Sequence, residues 1–421
     1  MNTLQRLFDQ VFKDHFSQSR IIKDVIVKKF ADVGIKLNKK CEDQIIRQIE
    51  DKFEKGEFTL ELDDKIIYRL NPDLKSDELS NLKLSIADED YKPILDDLSE
   101  SISKIMPGLI EQTATSVFKM LKRKRKDDLS YIRKRRDQFE ARLQRFWRVP
   151  IDSLEMLIAL AVESGETANS TGRKKAVLDN DIVFEVLIRL QARACRVAAE
   201  VLTLIKAGFA DGAHARWRTI HEIAIVSMFI KGHGNAVAEK YLLHKSIEEL
   251  KAARQYNKFH GSLGYPPISK KEFQAMERRA EQLKLKFGKE FGEDYGWAAA
   301  TINNPKPNFS QIEEHVGLQN WRPYYRMASH NVHAGPKGAL FSLGLINDVD
   351  NTLLAGASDT GFADPAHGTA ISLLQVTGLL LIRDPSIDSL VLTEVLRKLD
   401  REVGEQFMGT QEKYEKKYKA N

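Results

Sequence analysis

Cysteine is nearly missing from this chain: Cys41 and Cys195 are the only two in 421 residues. Neither sits in a C-x-x-C pair or a zinc-ligand spacing. That leaves one disulfide as the most the chain could form, and two cysteines in so long a chain suit a reducing compartment. Long apolar runs are missing too. The most apolar stretch, Thr369 to Ile382, is 14 residues long and contains Gln375. It is too short to span a bilayer and suits a buried helix. The first residues lack the pattern of a signal peptide. Leu4, Leu7, Phe8, Val11, Phe12 and Phe16 recur at three and four, the spacing of an amphipathic helix. A cytoplasmic protein with no membrane contact is therefore expected. Low-complexity sequence is scarce, and no internal repeat stands out.

The net charge is also small, +5, but it is unevenly placed. Residues 1–118 hold 23 acidic and 18 basic side chains, whereas residues 119–148 hold 13 basic and 4 acidic. Within that second stretch Lys122, Arg123, Lys124 and Arg125, then Arg133, Arg135 and Arg136, form a basic run, with Phe139, Phe146 and Trp147 nearby. Cations interleaved with aromatics would track a phosphate backbone. A solvated helix face, or docking onto an acidic partner, explains the same run. The acidic N-terminal part could equally meet another protein.

Periodicity predicts a mostly α-helical protein. Four parts are expected: an acidic helical accessory domain over 1–108, a basic helical connector and polar loop over 109–180, a helical bundle over 181–408, and a charged tail over 409–421. Breaks are expected at Met106-Pro107-Gly108 and at Pro150, and a polar loop at 166–175. In the bundle, apolar residues at 183, 186, 187, 190, 194, 197, 201, 204 and 205 mark one helix. Gly208 and Gly212 bracket a turn, and a second helix follows from about 213 to 231. Residues 339–346 and 352–358 alternate enough to predict a small β-hairpin, a flap over the polar helix considered next.

That polar helix is Trp321 to Gly335, W-R-P-Y-Y-R-M-A-S-H-N-V-H-A-G. Pro323 suits a first helical position, and Gly335-Pro336 a stop. On a continuous helix Arg326, Ser329, His330 and His333 share one stripe, with Arg322 a turn earlier as a further nucleic-acid contact. Arg326 and His333 would then stand about 10 Å apart along the axis. An arginine can hold a phosphate oxygen in fork geometry, and an imidazole can move the proton of a ribose 2′-hydroxyl or of a leaving oxygen. Such chemistry needs no metal and no cofactor. On the second bundle helix, Arg218, His221 and Glu222 share a face and would support the stripe; Arg216 and His221 form a further Arg/His pair. Two other readings use the same residues. One is a non-catalytic binding or sensor module with a structural polar cluster. The other is a metal-dependent hydrolase ligated by His221, Glu222, His330 and His333.

Two resemblances follow from these motifs. Phe146-Trp147 through Leu154, Arg218-x3-Glu222, and Tyr325-x3-Ser329-x3-His333 resemble a bacterial family known mainly as a domain of unknown function, over about 139–345. A helical core with Arg326-x6-His333 near a helix end resembles the HEPN superfamily of helical bundles. That resemblance implies a homodimer and a metal-independent ribonuclease of toxin or antiphage type acting on RNA. It implies Arg326 as phosphate clamp, His333 as general acid/base, and His330 and Ser329 assisting. Members of that superfamily usually carry a polar residue after the arginine, where this chain has Met327. Some members are inactive and only bind.

Overall fold

The computed structural model describes residues 18–32, 37, 39, 42–43, 45–48, 88–345, 353–383 and 385–419. Every regular element among them is helical. The expected helix at the extreme N-terminus, Cys41 and residues 346–352 lie outside the described residues. No helix among the described residues is long and apolar enough to cross a membrane. The chain divides into two compact units, Met1–Lys134 and Arg135–Asn421.

In the first unit, α1 (Gln18–Asp32) buries Ile22, Val25, Ile26 and Phe30. Their spacing of three and four lays them on one stripe, which is why this segment is helical. Lys29 pairs with Asp90 at 2.8 Å, and Lys23 with Glu42 at 3.4 Å.

Helix α2 (Asp88–Leu178) is 91 residues long and runs through every break expected in it. Proline inside a helix costs about 3 kcal/mol. Around Pro150, however, Leu143, Trp147, Ile151, Leu154 and Leu157 are at most 2% exposed. Each large apolar side chain so buried returns roughly 1.5–3 kcal/mol, so packing overrides the proline. Trp147 also donates its indole N–H to the Asp359 carbonyl at 2.8 Å and meets Phe362 edge-on at 5.1 Å. The expected polar loop at 166–175 is helical because its polar groups satisfy each other. Thr171 donates to the Thr167 carbonyl, and Arg173 reaches both Asn169 and Glu185.

The core of the second unit is the hairpin of α3 (Ile182–Lys206) and α4 (Ala210–His233), with α11 (Ala363–Leu381) packed on both and α12 (Ile387–Lys419) on α11. Asp181 caps α3 by accepting from the Phe184 amide at 2.8 Å. Gly208 turns the chain with φ +84°, and a Cβ there would strike the Phe139 ring and the Ser358 carbonyl. The side of the hairpin is covered by α5 (Asn235–Phe259) and α6 (Lys270–Phe287), then short α7 (Ala299–Ile302), α8 (Phe309–His315), α9 (Arg322–His330) and α10 (Pro336–Leu340).

The predicted β-hairpin is not formed by the described residues. Residues 336–340 are helix α10, and 341–345 and 353–358 are irregular. Side chains, not a strand ladder, satisfy their backbone. Asp211, in the first turn of α4, accepts from the Ser342 hydroxyl at 2.5 Å and the Leu343 amide at 2.9 Å. Ser358 donates to the Gly344 carbonyl at 2.7 Å, and its amide to the Gly208 carbonyl at 2.9 Å.

Two glycines of α11 should respond oppositely to alanine. A Cβ on Gly368 would lie 2.8 Å from the Trp217 indole, whereas Gly378 has nothing within 4 Å. Gly378→Ala should raise unfolding free energy by about 0.5–1 kcal/mol through helix propensity. Gly368→Ala should lower it by about 1–3 kcal/mol through overpacking. Chemical denaturation of the two variants checks this; equal effects would show that the indole does not fill that space.

Candidate functional site

The site is built around the buried face of α4. Trp217, 1% exposed, is its hub. The His214 ring stacks on it at 5.3 Å and 12°, and the His221 ring follows at 5.4 Å. Its indole N–H donates to the Ser372 hydroxyl of α11 at 3.2 Å.

Helix α8 brings the charge. Its start is fixed by a capping box between Asn308 and Gln311. Phe309, Ile312 and Glu313 then fall on one buried face, and Glu313 is 0% exposed. The His221 Nε2–H donates to Glu313 Oε1 at 3.0 Å. Arg322 of α9 forms an ion pair with Glu313 Oε2. The Arg322 guanidinium also lies over the rings of Phe309 and Tyr325, at 5.7 and 5.6 Å. A buried carboxylate persists only when paired in this way. Burial pushes the His221 pKa down, and it outweighs the upward pull of Glu313 and Glu222. His221 is therefore neutral at physiological pH.

A second pairing lies beside the first. Glu222 Oε1 accepts from Arg218 Nε at 3.0 Å and from the Tyr325 hydroxyl at 2.6 Å. The Arg218 guanidinium sits 4.6 Å from the Tyr325 ring centre. Burial, then the Glu222 hydrogen bond, raises the Tyr325 pKa, so the phenol stays protonated and donates.

These pairings place the sequence candidates as follows. Arg218, His221 and Glu222 do meet the polar helix, but through Tyr325 and Arg322. Arg322 is thereby engaged with Glu313. Ser329 donates back to the Tyr325 carbonyl at 2.8 Å within α9. Arg326 is exposed, and His330 half-buried. His333 is exposed and lies beyond His330, the last residue of α9, although its amide still bonds the Ser329 carbonyl four residues back at 3.2 Å. The amides of Asn331 and Val332 bond three residues back instead, to Ala328 and Ser329. In the following segment Pro336 opens α10, and Gly338 packs so closely that a Cβ would lie 2.3 Å from the His330 carbonyl. The side chains of Arg326, His330 and His333 make no hydrogen bond or ion pair with a described residue. Arg216 turns away, pairing with Glu200 at 2.6 Å.

Among the described residues no group of three or more His, Cys, Asp or Glu side chains could hold a metal ion. His221, Glu222, His330 and His333 are not gathered as the hydrolase reading requires. Lys122, Arg123, Lys124, Arg125, Arg133, Arg135 and Arg136 are all exposed on α2. Lys122 sits 4.4 Å over the Phe118 ring, and Arg136 bonds Glu140 at 2.8 Å. Cys195 is a buried free thiol.

Glu313 was missed from sequence. Its signal was present: Asn308-x2-Gln311 starts a helix in which an acidic residue occupies an apolar position.

With this geometry in hand, the class is a helical domain in which a short polar helix is clamped onto a buried hairpin. Residues 184–351 match the model of a family described as a family of unknown function (DUF5677). That span contains both pairings and all of α9. No curated protein and no solved structure matches the chain.

His214 provides a pH test. It is 1% exposed, neither ring nitrogen has a partner, and burial pushes its pKa down to about 4 against an upward pull from Asp211. A lowered histidine pKa stabilises the fold fully above the unfolded value near 6.5. That stability fades as pH falls toward the folded value. Between pH 7 and 4, His214→Phe should gain on the parent by up to about 3 kcal/mol. Unfolding free energies across that range check it; a pH-independent difference would refute the assignment.

Proposed function

We propose that this chain is a metal-independent ribonuclease of HEPN-like type, acting through the outward side of α9 and the turn after it. One observation carries the reading. Beneath α9 the polar groups of Arg218, Glu222, Tyr325, His221, Glu313 and Arg322 are paired with each other, while Arg326 and His333 stand exposed with their side chains unengaged by any described residue. A charge and an imidazole held out on an anchored base suit a phosphodiester. In this reading Arg326 holds a phosphate oxygen. His333 and His330 share the proton transfers: one imidazole takes the 2′-hydroxyl proton, the other gives a proton to the departing 5′-oxygen. The products are a 2′,3′-cyclic phosphate and a 5′-hydroxyl. Ser329, bonded to its own helix, keeps α9 in shape and does not touch substrate. The exposed basic residues of α2 supply a salt-sensitive attraction for RNA.

A second reading is favoured by one specific feature. Glu222 and Glu313 are both occupied internally, so neither of them orients His333. A domain that binds RNA without cutting it fits that arrangement.

The test is RNA cleavage by the purified chain in EDTA. The nuclease reading expects EDTA-resistant cleavage, falling about 10²–10⁴-fold in His333→Ala as for loss of a general acid/base. Arg326→Ala should also slow it, and neither variant should shift the thermal midpoint, since both side chains are exposed. Binding without cleavage supports the second reading. Loss of cleavage in EDTA, or full activity in His333→Ala, contradicts the first.

A further inference from the structure

A recess in the unit Arg135–Asn421 shares no lining residue with α9. It has a volume of about 550 Å³ and is lined by Arg142, Leu143, Arg145 and Phe146 of α2, Asp359, and Tyr414 and Lys417 of α12. That volume falls within the roughly 300–1,000 Å³ of small-molecule sites. The cationic lining outnumbers the acidic lining, with Arg142, Arg145 and Lys417 facing one carboxylate.

The acidic member is already committed. Asp359 Oδ1 accepts from the Tyr414 hydroxyl at 2.6 Å, Oδ2 lies 3.6 Å from Arg142 Nε, and its backbone carbonyl accepts from the Trp147 indole. The neighbouring loop is stapled to α12. Gln411 donates to the Thr360 hydroxyl at 2.8 Å and accepts from the Gly361 amide at 3.1 Å. This wall is therefore formed before any ligand arrives. Arg145 and Lys417, by contrast, are exposed and make no hydrogen bond or ion pair with a described residue. They are available to an incoming anion.

The remaining lining is aromatic. Phe146 and Tyr414 are half-buried and meet edge-on, with centroids 5.3 Å apart and planes at 78°. Arg142 also lies 5.3 Å from the Phe139 ring. Fixed aromatic rings beside unengaged cations match a ligand with a flat π-system at one end and a phosphate at the other. We infer that this recess binds a 5′-phosphorylated nucleotide. Its base packs on Phe146 and Tyr414, and its phosphate lies between Arg145 and Lys417. Asp359, held in place, can accept from a ribose hydroxyl or a base amino group. The same chemistry is presented by a free nucleotide and by the 5′ end of an RNA chain. The inference does not depend on the nuclease reading of α9.

The test is calorimetric titration of the full chain at fixed salt with AMP, ADP, adenosine, inorganic phosphate, and a short single-stranded RNA with either a 5′-phosphate or a 5′-hydroxyl. AMP or ADP, or the 5′-phosphorylated RNA, should bind, and adenosine and inorganic phosphate should each bind far more weakly. Binding of the mononucleotides identifies a free nucleotide as the source; binding of the phosphorylated RNA alone identifies a chain end. Arg145→Glu and Lys417→Glu should each weaken binding by roughly tenfold or more, as for loss of a charged contact. Lys271→Glu, a change at an exposed lysine of α6 outside the recess, should leave AMP binding unchanged. The inference is overturned if no phosphorylated probe binds, if inorganic phosphate binds as tightly as AMP, or if neither charge reversal alters affinity.

Discussion

A carboxylate with no access to water holds the site together. Glu313 is wholly buried, and an isolated charge there would be strongly disfavoured. It is tolerated because His221 gives it a proton to share and Arg322 gives it a countercharge. Those partners come from separate helices, so the demand of one acidic group fixes α4, α8 and α9 against each other. Apolar contact alone would let a short helix such as α9 slide. Pairing a buried charge does not, because displacement by even part of a turn would strand it.

The arrangement has two layers of polarity. The inner layer is closed: His221, Glu313 and Arg322, then Arg218, Glu222 and Tyr325, are matched among themselves and wrapped by Trp217, Trp321 and Phe309. The outer layer is open, with Arg326 and His333 turned to solvent. The closed layer anchors α9, which carries Arg326 of the open layer. Asp211 plays a similar role at the start of α4, where its carboxylate replaces a strand partner for the segment after α10.

Much of this was legible in the sequence. The hairpin of α3 and α4 could be read from apolar spacing, but whether its polar face meets α9 could not. Which residues meet could not be read. Glu313 lies 92 positions from His221, and nothing local to either names the other. Gly338, from a later element, packs against the His330 carbonyl at the end of α9. Pro150 and the polar stretch 166–175 misled for a related reason. Local propensity favoured breaks, but Trp147 and its neighbours packed into a core that outweighed Pro150, and at 166–175 the polar side chains bonded to one another and to Glu185.

The most direct test of the clamp is a double-mutant cycle on Glu313→Gln and Arg322→Met, with unfolding free energies measured at neutral pH. If the buried pairing organises the site, each single change strands its partner, and the double variant should lose less than the sum of the two. The expected coupling is about 2–3 kcal/mol. Additive losses would mean that Glu313 and Arg322 act independently, and that some other contact holds α9 in place.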